Sequence, residues 1–454
     1  MSTELDSRPM DEPESTSESM ALPQAVGQLT AGWKLAMLVS FALVVFGIVA
    51  FVREVSTGMI ATGMRNVGTM GGATWGLYVT FVVYFIGVSF AGITIAALIR
   101  VLNVRQLRPI GRLAESLTVV SLILGALAIV VDLGQPLRGL TNLFRYARPQ
   151  SPFFGTFSLV IAGYLVASLI YLYLGGRADA AEMARHPSRL QSFHRRWAAG
   201  YTDTEEERLR HRQTSFWLAV SIIPLLVIAH STLGFVFGLQ VGRPGWYGTL
   251  QAPAFIVLAG VSGIGHIIVL TAIVRRMVGE EGRIGVDVFA LLGKFLLTLV
   301  VTYLYFMLVE LLTLLYATPE VEKQLSDALL KGDYAWLYWG AVALLVIPAA
   351  GLIWQALTRN WNIGWLVAFG VAVNLAAIAK RYLVVVPSQT HGTLLPYETG
   401  SYSPSWVEYG VVLGLFGLGA IMLGVFFKVF PALPLHDGEP GAPTNETAEV
   451  VRNA

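Results

Sequence analysis

Residues 75–100 read WGLYVTFVVYFIGVSFAGITIAALIR, with no charged side chain before the terminal arginine. About 20 apolar residues in an α-helix cross the ~30 Å hydrocarbon core of a bilayer, so 75–98 is long enough to span one. Nine other stretches share this character: 33–52, 117–133, 153–174, 216–238, 251–274, 288–316, 334–357, 361–386 and 407–430. The third segment, 117–133, is short and polar at its end, and the ninth, 361–386, carries Lys380 and Arg381. About ten transmembrane helices are expected.

Composition agrees. Of 454 residues, 55% are hydrophobic and 13% charged, with a mean hydropathy of +0.63. Soluble domains carry about 25% charge, so about half of the usual solvating surface is missing and the chain reads as a polytopic membrane protein. There is no cysteine. That excludes disulfides, cysteine nucleophiles, thiolate zinc sites and cysteine-held iron–sulfur clusters within this chain. A net charge of +2 excludes a strongly basic nucleic-acid binder. Residues 1–31 and 434–454 are polar and read as disordered tails around a transmembrane domain at 32–433.

The connecting segments set the orientation. The tails and loops 2–3, 4–5, 6–7 and 8–9 hold 18 Lys and Arg, against 8 in the other loops. The positive-inside rule then places both termini in the cytoplasm. A weak repeat sets the grouping. Gly87-Val88-Ser89-Phe90-Ala91-Gly92 in the second segment matches Gly260-Val261-Ser262-Gly263-Ile264-Gly265 in the sixth, and apolar runs to Arg100 and Arg275 follow. An offset of four helices keeps the copies parallel. The expected fold is all-α integral membrane, with two four-helix bundles (helices 2–5 and 6–9) flanked by helices 1 and 10. Small-residue spacing of this kind is also common in membrane helix packing generally.

Ionisable groups inside hydrocarbon are costly and mark cavities or proton paths. On the outward half lie Asp132, His230, Glu310, Lys380 and Arg381. At ~1.5 Å per residue, His230 sits ~12 Å and Glu310 ~9 Å below their outer helix ends, and Lys380 and Arg381 ~8 Å in. An acid, an imidazole and a guanidinium at one depth suit a polar head group whose protons are exchanged. The alternative is snorkelling of Asp132, Lys380 and Arg381 to the interface. On the inner half, His266 and Lys294, with Ser262 and Tyr305, suggest a proton route toward Glu310. The alternative is a histidine satisfied by a helix–helix hydrogen bond and a snorkelling lysine. His230 and His266 lie in opposite halves of the bilayer, which argues against a bis-histidine haem.

The segments resemble the NrfD, or polysulfide-reductase membrane-subunit (PsrC-like), family in its ten-helix form. The resemblance rests on WGLYVTFVVYFIGVSFAG (75–92), VDLGQPLR (131–138), IAHSTLGFVFGLQ (228–240), RPGWYGTLQAPAF (243–255), YLYFMLVELLTLLY (303–316) and KRYLVVVPSQ (380–389). It covers roughly residues 55–430. It implies a quinone- or quinol-binding subunit (menaquinone or ubiquinone) of a respiratory oxidoreductase, with no haem or iron–sulfur cluster of its own. Electrons would pass to or from a ferredoxin-like iron–sulfur subunit on the outward face, and beyond it a molybdopterin or multihaem cytochrome subunit. The family's motif maps onto Asp132, Arg138, His230, Trp246, Glu310 and Arg381. Tyr247 stands where some members have histidine. The family's quinone-contacting Asn/His pair of the first bundle is not assigned to residues here; Asn66 is near its expected place, with loop 1–2 the alternative. Asp132, Arg138, His230, Trp246 and Arg381 are then the expected quinone-binding residues. Asp132, His230 and Glu310 would handle protons, His266, Lys294 and Glu310 would form a proton path, and no metal is expected. Proton translocation stays open. The competing readings are a secondary transporter and a passive membrane anchor.

Overall fold

The computed structural model describes residues 22–64, 73–146, 148, 150, 156–279, 282–316, 319–391 and 401–435. Asn66 and most of both tails lie outside the described residues. Ten described helices are long and apolar enough to cross a membrane. They are α1 (Ala31–Thr57), α2 (Leu77–Arg100), α3 (Arg105–Asp132), α4 (Ser158–Met183), α5 (Glu205–Gly238), α6 (Gln251–Val278), α7 (Val286–Tyr316), α8 (Ala335–Thr358), α9 (Ile363–Thr390) and α10 (Trp406–Val429). The chain is an all-α integral membrane protein.

Helix ends follow local chemistry more than hydropathy. Thr204 caps α5 through the Glu207 amide, and Glu205, Glu206 and Glu207 fill its positive first turn. The helix therefore starts 11 residues before the apolar run at 216. Ser405 and Glu408 form a reciprocal capping box at the start of α10. Three connections hold short helices, Pro136–Tyr146, Gln191–Ala198 and Glu320–Leu330. Their polar composition hides them from a membrane-span reading.

α2, α3, α4 and α5 touch in a ring, and α6, α7, α8 and α9 touch in a second. α5 and α2 carry the first ring onto α6 and α9 of the second. α1 packs on α10, which in turn packs on α3 and α2, so the two outer helices form one pair on one side. Glycines allow that pair its close crossing: a Cβ on Gly47 would lie 2.7 Å from the Gly414 Cα. Much of the remaining surface is apolar and exposed, as on α1, where Leu35 and Leu38 are more than half exposed. A surface of this kind suits lipid.

The repeated glycine-serine stretches meet at the seam between the rings. A Cβ on Gly263 would lie 2.9 Å from the Ala91 nitrogen and 3.2 Å from the Val88 carbonyl oxygen. One on Gly87 would lie 3.3 Å from Ser262 Oγ. The two copies thus supply the two sides of one close helix crossing. Gly263→Val should lower stability by roughly 1–3 kcal/mol through backbone overpacking. An unchanged thermal midpoint for the detergent-solubilised protein would contradict this role.

α2 is interrupted at Ser89, and polar side chains explain the break. Ser89 Oγ donates to the Ile86 carbonyl at 2.6 Å. Thr118 Oγ1 donates to the Ser89 carbonyl and accepts from the Gly92 amide. Side chains that take over backbone partners release a helix from its regular ladder. The equivalent Ser262 sits in an unbroken α6. Transporter sites are typically built from matching interrupted helices in both halves, and α2 and α6 do not match in this way.

Candidate functional site

At the end of the molecule opposite Leu22 and Leu435, here the distal end, cavities open in both rings among the described residues. The first, of about 650 Å³, lies among α2, α3, α4 and α5. Ala126, Ile129 and Val130 of α3 and Leu133 just after it line the cavity at helical spacing, facing Val79 and Val83 of α2 and Phe237 of α5. Its wall is mostly apolar, with Asp132 and Trp75 among the lining residues. Gly139 and Leu140, from the helix Pro136–Tyr146, also line it. Volume and lining fall within the range of small-molecule sites, which are apolar with a few placed polar groups.

Trp75 is held from behind. Gln389 Oε1 accepts the Thr74 and Trp75 amides at 2.9 and 3.1 Å, and its Nε2 donates to the Trp75 and Val385 carbonyls at 2.8 and 2.6 Å. Trp246 stacks on Trp75 at 5.5 Å and donates to the Val384 carbonyl at 2.5 Å. Trp246 therefore braces the cavity without lining it. Gln389 ends the KRYLVVVPSQ stretch, yet its role was illegible because its partners are backbone groups far along the chain. Gln389→Leu should cost about 1–3 kcal/mol, since it leaves buried amides and carbonyls unpaired. The check is a thermal melt, with Gln389→Glu as the variant that keeps the acceptor.

The structure does not bring His230 to the cavity wall. It sits fully buried about 4.5 Å along α5 from the lining residue Leu233. Its Nδ1 faces the Leu226 carbonyl at 2.8 Å and its Nε2 the Ile86 carbonyl at 3.0 Å. The histidine pins α5 to the break in α2. Arg138 is exposed on the distal surface, on the short helix beside the cavity.

The sequence reading passed over two buried acids of the distal end. Glu54 and Glu408 are both fully buried. Glu54 Oε2 accepts the Tyr78 hydroxyl at 2.6 Å, and Oε1 has no hydrogen-bond partner among the described residues. Glu408 accepts the Gly63 and Ser405 amides, each at 2.8 Å, and the Tyr402 hydroxyl. Tyr402 in turn accepts the Leu77 amide at 2.7 Å. Burial and the Glu408 charge push the Tyr402 hydroxyl well above the ordinary phenol range. Glu408 carried a signal, the Ser-x-x-Glu spacing from Ser405. Glu54 follows the apolar run 33–52, where sequence position alone gives no sign of burial.

The second cavity, about 400 Å³, is lined by Glu310, Arg381, Tyr303, Phe255, Tyr247 and Glu322, among others. Lys380 pairs with Glu310 at 3.0 Å, and Lys380 is almost fully buried. Snorkelling is thus replaced by a helix–helix ion pair between α9 and α7. Arg381 is 2% exposed, lies over the Phe255 ring at 4.2 Å and donates through Nη2 to the Phe255 carbonyl at 3.2 Å. Its Nη1 has no partner among the described residues. At the rim, Glu322 accepts the Gly245 amide, and burial holds its carboxyl above the usual range.

The inner route is divided. His266 Nδ1 meets Asn374 Oδ1 at 2.6 Å, and Tyr84 donates to the same oxygen at 3.1 Å. This joins α6, α9 and α2 at the seam. Lys294 and Tyr305 are exposed on α7 and do not join it. The expected path from His266 through Lys294 to Glu310 is not assembled, because Lys294 projects from the outer face of its helix. Among the described residues, no group of three or more His, Cys, Asp or Glu is placed to hold a metal ion.

A family model described as "Polysulphide reductase, NrfD" matches residues 65–391. The chain is 27% identical over 379 residues to a selenate reductase subunit of Mesobacillus selenatarsenatis, covering 79% of this chain and 86% of that protein. It is 29% identical to a putative dimethyl sulfoxide reductase membrane subunit of Halobacterium salinarum, covering 81% and 85%. It is 24% identical to the Hdr-like menaquinol oxidoreductase integral membrane subunit of Archaeoglobus fulgidus, covering 79% and 85%. The match spans most of the chain, and these relatives are named as subunits of reductases or oxidoreductases. The chain is thus a multi-pass membrane protein that belongs to the NrfD, polysulphide reductase, family.

Proposed function

We propose that this chain is the quinone- or quinol-binding membrane subunit of a multi-subunit respiratory oxidoreductase in the cytoplasmic membrane, with both termini in the cytoplasm. The observation that carries the reading is the 650 Å³ apolar cavity with Asp132 among its lining residues. A planar, largely apolar ring with polar oxygens fits such a chamber. When bound, a quinone supplies two-electron, two-proton chemistry that no side chain here has. Asp132 gives and takes protons at that head group. Trp75 forms one wall, and Gln389 and Trp246 are positioning residues that hold it. His230 acts through the α2 break and is likewise a positioning residue. Arg138 and Arg145 stand exposed on the distal surface beside the cavity. They suit docking of a ferredoxin-like iron–sulfur subunit, behind which a molybdopterin or multihaem cytochrome subunit would sit. The cysteine-free chain then hands its electrons to that neighbour.

The test is quinol-dependent electron transfer by the purified complex. Asp132→Asn keeps the shape but cannot exchange a proton in the same way. It should lower kcat by about 100-fold or more with little change in KM. Undiminished turnover would remove Asp132 from the chemistry. Uptake of a solute by this subunit alone in liposomes would favour a transporter. Turnover that survives neutralisation of Asp132, Glu54 and Glu310 would favour a passive anchor.

A further inference from the structure

The terminal end of the first ring holds a third cavity, of about 370 Å³, with a different chemistry. Five arginines line it, Arg100, Arg105, Arg108, Arg112 and Arg283, against two carboxylates, Glu115 and Asp179. Asp179 is engaged by Arg112 in a buried ion pair, and the arginines outnumber the carboxylates however the others pair, so the lining keeps a positive excess. Arg105, Arg108 and Arg112 recur at three- and four-residue spacing, which places them along one face. Arg108 Nε is shielded from solvent and has no hydrogen-bond partner among the described residues. The walls come from α2, α3, α4, the start of α5 and the α6–α7 connection, with Pro434 also lining it. The chamber is therefore built by the tertiary fold.

We propose that this cavity binds a phosphate group, and that the phosphate belongs to the headgroup of an anionic phospholipid. Arginine forks match phosphate oxygens in charge and geometry. The choice of a lipid rests on place and neighbours. The arginines stand where α2 ends and α3 begins, at the level where a spanning helix leaves the hydrocarbon. Directly after Arg100, Val101 and Leu102 are 40% and 66% exposed, an apolar surface for an acyl chain. A zwitterionic headgroup would bring a cation toward the excess arginine charge, so net-anionic lipids are selected. The lipid would fasten the first ring to the α6–α7 connection and to the chain near Pro434.

The experiment uses the full-length protein, purified in detergent and stripped of lipid. Phosphatidylglycerol or cardiolipin, phosphatidylcholine and inorganic phosphate are added separately, with thermal midpoint and native mass spectrometry as readouts. Anionic lipid should be retained and raise the midpoint, and phosphatidylcholine should do neither. Arg105→Gln with Arg108→Gln should weaken anionic-lipid binding at least about tenfold. The side-chain hydrogen bond this pair gives up, Arg108 to Asn103, is exposed, which makes a folded variant the expected product. Arg105→Lys with Arg108→Lys, which keeps the charges, should restore part of the affinity. Arg195→Gln with Arg196→Gln removes the same charge at the same end, outside the cavity, and should leave binding unchanged. Equal weakening by both glutamine pairs would mean diffuse surface attraction and overturn the site. An equal shift from inorganic phosphate alone would overturn the lipid assignment. No retention and no shift would overturn both.

Discussion

Ala126→Trp should abolish quinol-dependent electron transfer, by about 100-fold or more, while the complex stays assembled. Ala126 lies on the α3 stripe that lines the first cavity, one turn from Ile129 and Val130. An indole placed there occupies space inside the 650 Å³ chamber without removing a charged group or a hydrogen bond. Loss of activity through a filled chamber then separates occupancy of this cavity from the proton chemistry of Asp132. Substrate affinity and turnover should fall together, and the thermal midpoint should hold or rise as the void closes. The measurement is steady-state turnover with a soluble quinol, beside a thermal melt of the same preparation. Full activity with a retained midpoint would place the quinone elsewhere, with the 400 Å³ cavity beside Arg381 the next candidate.

Arg112→Ala should produce the largest loss of stability, about 3–5 kcal/mol. Arg112 and Asp179 are each about 5% exposed and pair directly. Arg112 Nη2 also donates to the Gly175 carbonyl at 2.8 Å, and Asp179 Oδ1 accepts the Leu435 amide at 3.3 Å. Removing the guanidinium leaves a carboxylate buried without its counterion, which costs far more than a surface pair would. The double variant Arg112→Met with Asp179→Leu removes both charges and should recover most of the loss. Thermal midpoints of the four proteins of this cycle decide the matter. A double variant as unstable as Arg112→Ala would assign the loss to packing around the arginine stem instead.

Parts of the candidate site are legible in the amino-acid sequence. Asp132 was found because an acid at the end of an apolar helix is costly and stands out. Lys380 and Glu310 were placed near one depth by helix rise alone, and they pair at 3.0 Å. Other roles were hidden because their partners are main-chain groups, which every residue carries. His230 looked like a proton-exchanging group, yet both of its nitrogens face carbonyls. Gln389 is a polar residue just after the apolar run 361–386, yet it holds four main-chain groups around Trp75. Lys294 shared a depth zone with His266, but depth says nothing about the angle at which a side chain leaves its helix.

The amino-acid sequence by itself determined the ten spans, the all-α class and the shortlist of buried charges, and it suggested the sidedness. These follow from local quantities: the length of apolar runs, the cost of charge in hydrocarbon and the count of basic residues in loops. Only the tertiary structure decided which spans close into rings and where chambers open between them. It also decided which acids are paired and which arginines share one cavity. A chamber wall takes one stripe from each of several helices, and its shape depends on their relative rotation. That rotation is set by packing between residues hundreds of positions apart, such as Leu77 with Tyr402 and Trp75 with Gln389. Periodicity within any one helix carries no record of it.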